Sequence, residues 1–356
     1  MKIALLNLPY DNNYGGNLQR YALMKVLQDM GHDVTHVNLR FHWQLPWYKK
    51  NYVYIKRLLK KILINHHTHI NQEKELNETY KQLCSITDSF YERYIEHTEV
   101  ITDIKQLKNL VGYEAYIVGS DQVWRKKIAK KYLQTLFLDF LPHDTNTKKI
   151  AYAVSMGNSE NELNSKEILY LGKLYKRFDA VSVREQSALS LFESYGWTIP
   201  KASVSLDPTL LLSKENYTAL IDNAKTVPSE GQIFCYILDD SKEKQKLIED
   251  KEKELEMISF RISLKGNNAV SIEQWLRSFN DAEYVITDSY HGLLFSIIFR
   301  KPFYLFMNPF RGNARFDSVL EKFGISANNS ETDWNQLSNL VDDNRKQSLI
   351  FLSKVL

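Results

Sequence analysis

The densest grouping of reactive side chains in the 356-residue sequence is Thr287-Asp288-Ser289-Tyr290-His291-Gly292, between the apolar runs Val285-Ile286 and Leu293–Phe299. An imidazole near a helix amino terminus has a depressed pKa and suits proton transfer or contact with an anion. A buried histidine bonded to a carbonyl is the bland alternative, but Asp288, Ser289 and Gly292 around His291 favour chemistry. A second grouping, Gly119-Ser120-Asp121-Gln122-Val123-Trp124-Arg125, brings a hydroxyl, carboxylate, amide, indole and guanidinium to the end of an apolar segment. A third, Tyr14-Gly15-Gly16-Asn17, offers free amide N–H groups where a helix begins, a natural anion site. It lacks both the G-x-G-x-x-G and the P-loop lysine patterns. Finally, Arg184 in Val183-Arg184-Glu185 has a fork suited to a carboxylate or phosphate, or to a salt bridge with Glu185 or another acid. His66, His67 and His69 read as a solvated loop rather than a metal site, since no Cys or carboxylate accompanies them.

Positioning these groups requires strands that end in loops. Short apolar segments alternate with helical patterns: strands over Lys2–Leu8, Asp33–Asn38, Ala115–Val118, Ile150–Val154 and Ala180–Val183, with helices over Leu18–Met30 and Glu167–Phe178. A second series has strands over Ile233–Leu238, Met257–Ile262, Tyr284–Thr287 and Phe303–Phe306. Its helices cover Lys242–Leu255, Ile272–Phe279 and Leu293–Phe299. Such alternation predicts parallel sheets with crossover helices, and every group above then falls at a strand's carboxyl end, where ligands bind open α/β sheets. The polar segment Ser213–Gln232 is the expected linker, so the length divides into two domains.

Composition narrows the classes. Apolar residues make up 44% and charged residues 25%, as in globular proteins. No apolar stretch approaches the roughly 20 residues of a spanning helix. The amino-terminal segment is too interrupted for a secretory signal, which suggests a cytoplasmic chain. Cys84 and Cys235 are too far apart to form a zinc knuckle and are expected as core thiols. A net charge of +3 excludes a dedicated nucleic-acid binder.

Charge is uneven only once: no Asp or Glu lies between Asp33 and Glu73, whereas Lys49, Lys50, Lys56, Arg57, Lys60 and Lys61 do. Tyr52, Ile55, Leu59 and Ile62 recur at helical spacing among them, giving a basic amphipathic helix. It is either an ordinary surface helix on its own core or a dock for an anionic membrane or lipid diphosphate, with Trp43, Trp47 and Tyr52 as interfacial anchors.

Six motifs in order resemble the polysaccharide pyruvyl transferase family: Asn13–Leu23, Gly119–Trp124, Ala151–Gly157, Val183–Glu185, Leu206–Leu211 and Thr287–Ser296. In that family a pyruvyl group passes from phosphoenolpyruvate to two sugar hydroxyls, forming a cyclic ketal on a cell-surface glycan. The resemblance implies an α/β fold of two Rossmann-like domains facing a central cleft, as in GT-B glycosyltransferases. The N-terminal domain would cover 1–212, with the basic helical insert at about 44–110. The C-terminal domain would cover 213–335, and a last helix, 336–356, would return to the first domain.

The resemblance also implies roles. His291, Asp121 and Asp288 become the acid and base candidates. Arg184, Ser289, Tyr290, Gly292, Arg311 and Arg315 become donor contacts, and Tyr14, Gly15, Gly16, Asn17, Ser120, Gln122 and Trp124 become acceptor or loop contacts. Where many members have Arg-Leu-His-Gly, this chain has Ser289-Tyr290-His291-Gly292, and Arg311 or Arg315 could supply the missing charge. The expected partners are phosphoenolpyruvate as co-substrate and a sugar or lipid-linked acceptor at the inner face of the plasma membrane, with no other cofactor, no metal and no nucleic acid. A nucleotide-sugar glycosyltransferase, or a non-catalytic sugar- or lipid-carrier-binding subunit, would share the architecture.

Overall fold

A computed structural model describes the chain apart from residues 65–68, 158, 265, 308–312 and 330–331. The first half contains β1 (Lys2–Leu6), α1 (Tyr14–Asp29), β2 (Asp33–His36), α2 (Trp47–Leu63), α3 (Gln72–Tyr94), β3 (Ala115–Val118), α4 (Lys126–Ala129), β4 (Lys148–Val154), α5 (Ser165–Tyr175), β5 (Ala180–Val183), α6 (Gln186–Ser194) and β6 (Ser203–Val204). The second contains α7 (Lys214–Asp222), β7 (Ile233–Tyr236), α8 (Lys242–Leu255), β8 (Ser259–Phe260), α9 (Ile272–Asp281), β9 (Tyr284–Thr287), α10 (Tyr290–Ile298), β10 (Phe303–Leu305), α11 (Ala314–Phe323), β11 (Asn328–Asn329) and α12 (Trp334–Val355).

The strands form two sheets, ordered β2-β1-β3-β4-β5-β6 and β11-β10-β9-β7-β8. Every pairing is parallel except β10 with β11. Central strands such as β3 and β9 are buried along their whole length, as helix-covered parallel strands must be. In each sheet the strand order reverses once, between β1 and β3 and between β7 and β9. Loops on either side of such a reversal diverge and leave a crevice. One hydrophobic cluster, running from Ile3 and Leu18 through Tyr217 and Trp275 to Phe295 and Leu352, joins the two halves.

Three boundaries differ from the sequence reading. Helix α1 begins at Tyr14 rather than Leu18, because Asn13 caps it by accepting from the Gly16 N–H at 3.1 Å. Helix α10 begins at Tyr290 rather than Leu293, so His291 lies within its first turn. The expected linker 213–232 contains α7. There Ser213 and Asn216 form a capping box, and Tyr217, Leu220 and Ile221 give a buried stripe.

Helix α12 runs back across the first half. Arg345 Nε donates to the Leu210 carbonyl at 2.8 Å, Ser348 Oγ accepts from the Leu206 N–H at 3.0 Å, and Lys148 Nζ donates to the Val355 carbonyl at 2.9 Å. Leu352 is fully buried beneath it. Leu352→Ala should therefore cost about 2–5 kcal/mol. Chemical denaturation measures this, and an unchanged midpoint would show that α12 is not part of the cooperative core.

Candidate active site

The two strand-order reversals face each other across one cavity of about 740 Å³. From the first sheet it is lined by Asn12, Asn13 and Tyr14, which follow β1, and by Asp121, Gln122 and Arg125, which follow β3. From the second come Tyr236, Ile237 and Leu238 after β7, Ile262, Ser263 and Leu264 after β8, and Ser289, Tyr290 and His291 after β9. Arg315, near the start of α11, completes it.

His291 bridges the two halves: its imidazole packs against Gly15 in the first turn of α1, where any Cβ would collide with the ring. Burial is the main reason its pKa falls to about 4. Asp207 and Asp121 oppose the shift, while the Arg184 and Arg315 cations add to it. At neutral pH the ring is therefore neutral, and its buried Nε2 has no hydrogen-bond partner among the described residues. A neutral imidazole can accept a proton before it can give one.

Behind the cavity wall, Arg184 is almost completely buried. It donates to Asp207 Oδ2 at 2.8 Å and to Asp121 Oδ1 at 3.2 Å. Asp207 also accepts from Gln19 and from the backbone and hydroxyl of Thr209. Two guanidiniums lie over the Tyr290 ring, Arg184 at 4.5 Å and Arg315 at 5.0 Å from its centroid. Asp121 adopts a left-handed backbone (φ 72°) that turns its carboxylate toward these cations. Burial alone would raise its pKa, but Arg184, Arg315 and His291 together hold it below the ordinary value. Arg315, depressed by burial and by Arg184 to about 10, stays charged at neutral pH.

The structure thus brings Tyr14, Asp121, Gln122, Ser289, Tyr290, His291 and Arg315 to one cavity, with Gly15 beneath the imidazole. Other candidates belong elsewhere. Asp288 does not line the cavity: its carboxylate accepts from the Leu238 and Asp239 N–H groups at 2.7 and 3.0 Å and from Lys244 Nζ at 2.6 Å, pinning the loop after β7. Trp124 is core, stacked on Phe137 at 4.3 Å, with its indole N–H on the Leu136 carbonyl. Ser120 is spent on the Ala153 carbonyl, and the Asn17 amide on the Asp11 and Asn13 carbonyls.

Two glycines also have structural reasons for their places. The Gly16 N–H serves the Asn13 cap, and Gly292 packs where a Cβ would strike Thr287. Arg184 does not line this cavity, and its NH1 and NH2 groups are divided between two carboxylates. Arg311 lies outside the described residues.

Arg125, the guanidinium of the second grouping, lines the cavity while bonding Glu162 and Gln122. Other contributors carried little signal in the sequence. Asp207 was visible only as the acid before Pro208. The apolar wall Ile262 and Leu264 carried no motif at all.

A family model described as polysaccharide pyruvyl transferase matches residues 13–309. No curated protein matches the sequence. Among solved structures the chain is similar to a putative UDP-N-acetylglucosamine 2-epimerase from Listeria monocytogenes, with TM-score 0.50 and 9% identity over 99% of this chain and 90% of that one. A UDP-N-acetylglucosamine 2-epimerase from Rickettsia bellii gives TM-score 0.49 and 10% identity over 100% and 97%. A Medicago truncatula protein complexed with UDP-glucose gives 0.47 and 9% over 99% and 97%. At such identities the likeness is one of fold: two Rossmann-like domains facing a central cleft, the GT-B arrangement.

The His291 environment has a measurable consequence for stability. Its folded pKa of about 4 lies below the ordinary 6.5, so between these values the unfolded chain binds the extra proton. The stabilisation is complete above pH 6.5 and is lost as pH falls toward 4, by up to about 3 kcal/mol. Compared with His291→Gln, the wild type should lose stability more steeply from pH 7 to 5 in denaturant titrations. Parallel curves would mean that the imidazole is solvated. In addition, Gly15→Ala should displace the ring and cut turnover at least about tenfold, since misplaced catalytic groups are costly. Its circular dichroism should remain unchanged.

Proposed function

The chain belongs to the polysaccharide pyruvyl transferase family, and from that premise we propose that it moves a pyruvyl group from phosphoenolpyruvate to sugar hydroxyls. The acceptor is a cell-surface polysaccharide or its lipid-linked precursor, which brings the enzyme to the inner face of a membrane, and the product is a pyruvate ketal. The observation that carries this reading is the meeting of His291, Asp121 and Arg315 in one cavity.

Phosphoenolpyruvate presents a carboxylate and a phosphate. Arg315 supplies a guanidinium for one of them. The amino termini of α1 and α10, both opening on the cavity, supply partial positive charge for the other. Asp121 and Tyr290 hold Arg315, so the charge that many family members carry two residues before the histidine comes here from α11.

In the first step the donor's methylene carbon gains a proton and a sugar hydroxyl oxygen bonds to the neighbouring carbon. In the second, another hydroxyl displaces phosphate, which leaves with that hydroxyl's proton. His291 Nε2, neutral and without a hydrogen-bond partner among the described residues, takes the first hydroxyl proton and relays it. A bound trianion would favour the imidazolium, converting the base into the acid that the methylene carbon needs. Asp121, ionised and held by Arg184, is a better counter-charge for the electron-poor carbon than a proton acceptor.

Phosphoenolpyruvate should protect the protein against thermal unfolding, by about 2.7 kcal/mol at a hundredfold excess over Kd, and UDP-sugars should not. The reverse pattern would make the donor a nucleotide sugar. With acceptor present, phosphate release should fall about 10²–10⁴-fold in His291→Ala. Arg315→Lys should raise the KM for phosphoenolpyruvate at least about tenfold. A changed acceptor KM alone would contradict the assignment.

A further inference from the structure

Helix α2 is built inside out. None of its side chains is buried. The half-buried ones, Val53, Tyr54 and Arg57, are those that face the body. Arg57 forks onto Glu73 at 2.7 and 2.8 Å and donates to the Ile70 carbonyl, while the Tyr54 hydroxyl donates to Asn71. The helix is therefore attached through its polar side. At about 100° per residue, its apolar side chains occupy an arc of about 160° on the opposite side. Trp47 and Leu63, at the edges of that arc, are 86% and 75% exposed, and Ile55, Leu58, Leu59 and Ile62 between them are exposed too. An ordinary surface helix turns such a stripe inward.

Charge settles what the stripe meets. Lys49, Lys56 and Lys60 border it on one side, and Lys50 and Lys61 on the other. The carboxylates at the start of α3 are engaged elsewhere: Glu73 by Arg57, Glu75 by His69 and Glu78 by Lys74. An apolar band edged on both sides by cations matches a bilayer, with acyl chains under anionic headgroups. A second copy would set lysine against lysine at both borders. Trp43 takes no part, because it stacks on Phe41 at 5.8 Å and its N–H is held by Asn77. The anchors on the arc are Trp47 and Tyr52.

We propose that α2 docks the protein on anionic membrane surfaces, its Trp47–Leu63 stripe lying in the interface and its flanking lysines on lipid phosphates. This stands apart from the transfer chemistry, since the helix contributes no cavity residue.

The test is sedimentation of the full chain with phosphatidylglycerol-containing or pure phosphatidylcholine vesicles at low and high salt. Wild type should bind the anionic vesicles at low salt, with a blue shift of emission that disappears in Trp47→Phe. Changing Lys56, Lys60 and Lys61 together to Glu should weaken that binding at least about a hundredfold. Changing Leu58, Leu59 and Ile62 together to Ser should remove the binding that survives high salt. All six side chains are exposed, so melting temperatures should stay close to wild type and certify the fold. Wild type left in the supernatant at low salt overturns the proposal, as does binding that neither triple variant alters. A dimer that the Ser variant dissociates, without vesicle binding, would assign the stripe to a second copy and overturn it equally.

Discussion

A guanidinium removed from water must be matched by carboxylates or it will not fold, and Arg184 imposes that requirement on everything around it. Its two partners come from distant places in the chain: Asp121 follows β3 and Asp207 precedes the turn that supports α12. The ring stacked on it, Tyr290, belongs to the other half. The adjacent Glu185 extends the framework by accepting from the Ser155 hydroxyl and the Met156 and Gly157 N–H groups. One buried cation thus fixes the cavity floor, the carboxylate that faces it and the start of the helix carrying His291. Removing the cation would deprive two buried acids, Asp121 and Asp207, of their shared partner, so the site and the stability of the interface between the halves cannot be separated.

Much of the scaffold was legible because parallel strands are short, apolar and bounded by turn residues. Strands β3, β5 and β9 and helix α8 lie where the pattern puts them. The two helices that matter most, α1 and α10, start a turn earlier than the pattern suggests, for a common reason. Gly15, Gly16 and Gly292 read locally as loop, but Gly15 and Gly292 lie inside helices where neighbours leave no room for a Cβ. The ring that presses on Gly15 belongs to His291, remote in the sequence, and no local window contains it.

The site reading divided along the same line. Motif loops could be assigned to strand ends, so His291, Asp121, Tyr14 and Ser289 were found together. Which way each side chain points was not legible. Trp124 and Asp121 are three residues apart, yet one is sealed in an aromatic cluster and the other faces the cavity, because Asp121 takes a left-handed backbone. Asp288 looked like a partner for His291 because it is near in sequence. The carboxylates whose charge the imidazole feels are Asp207 and Asp121. In α2 the amphipathic pattern was plain, but nothing in the pattern said that its apolar side would face outward.

The stretch of cavity wall formed by Ile262–Leu264 carries no ionisable side chain, whereas the opposite wall is backed by the Arg184–Asp121–Asp207 network. Strand β8, which leads into Ile262–Leu264, is a two-residue edge strand. In the Arg184 network a single substitution disturbs several partners at once. Divergence under selection should therefore be lopsided. Variation can accumulate on the β8 side, reshaping what the cavity admits, while the ionic side tolerates almost none. A library aimed at altered acceptor range would find its surviving members there.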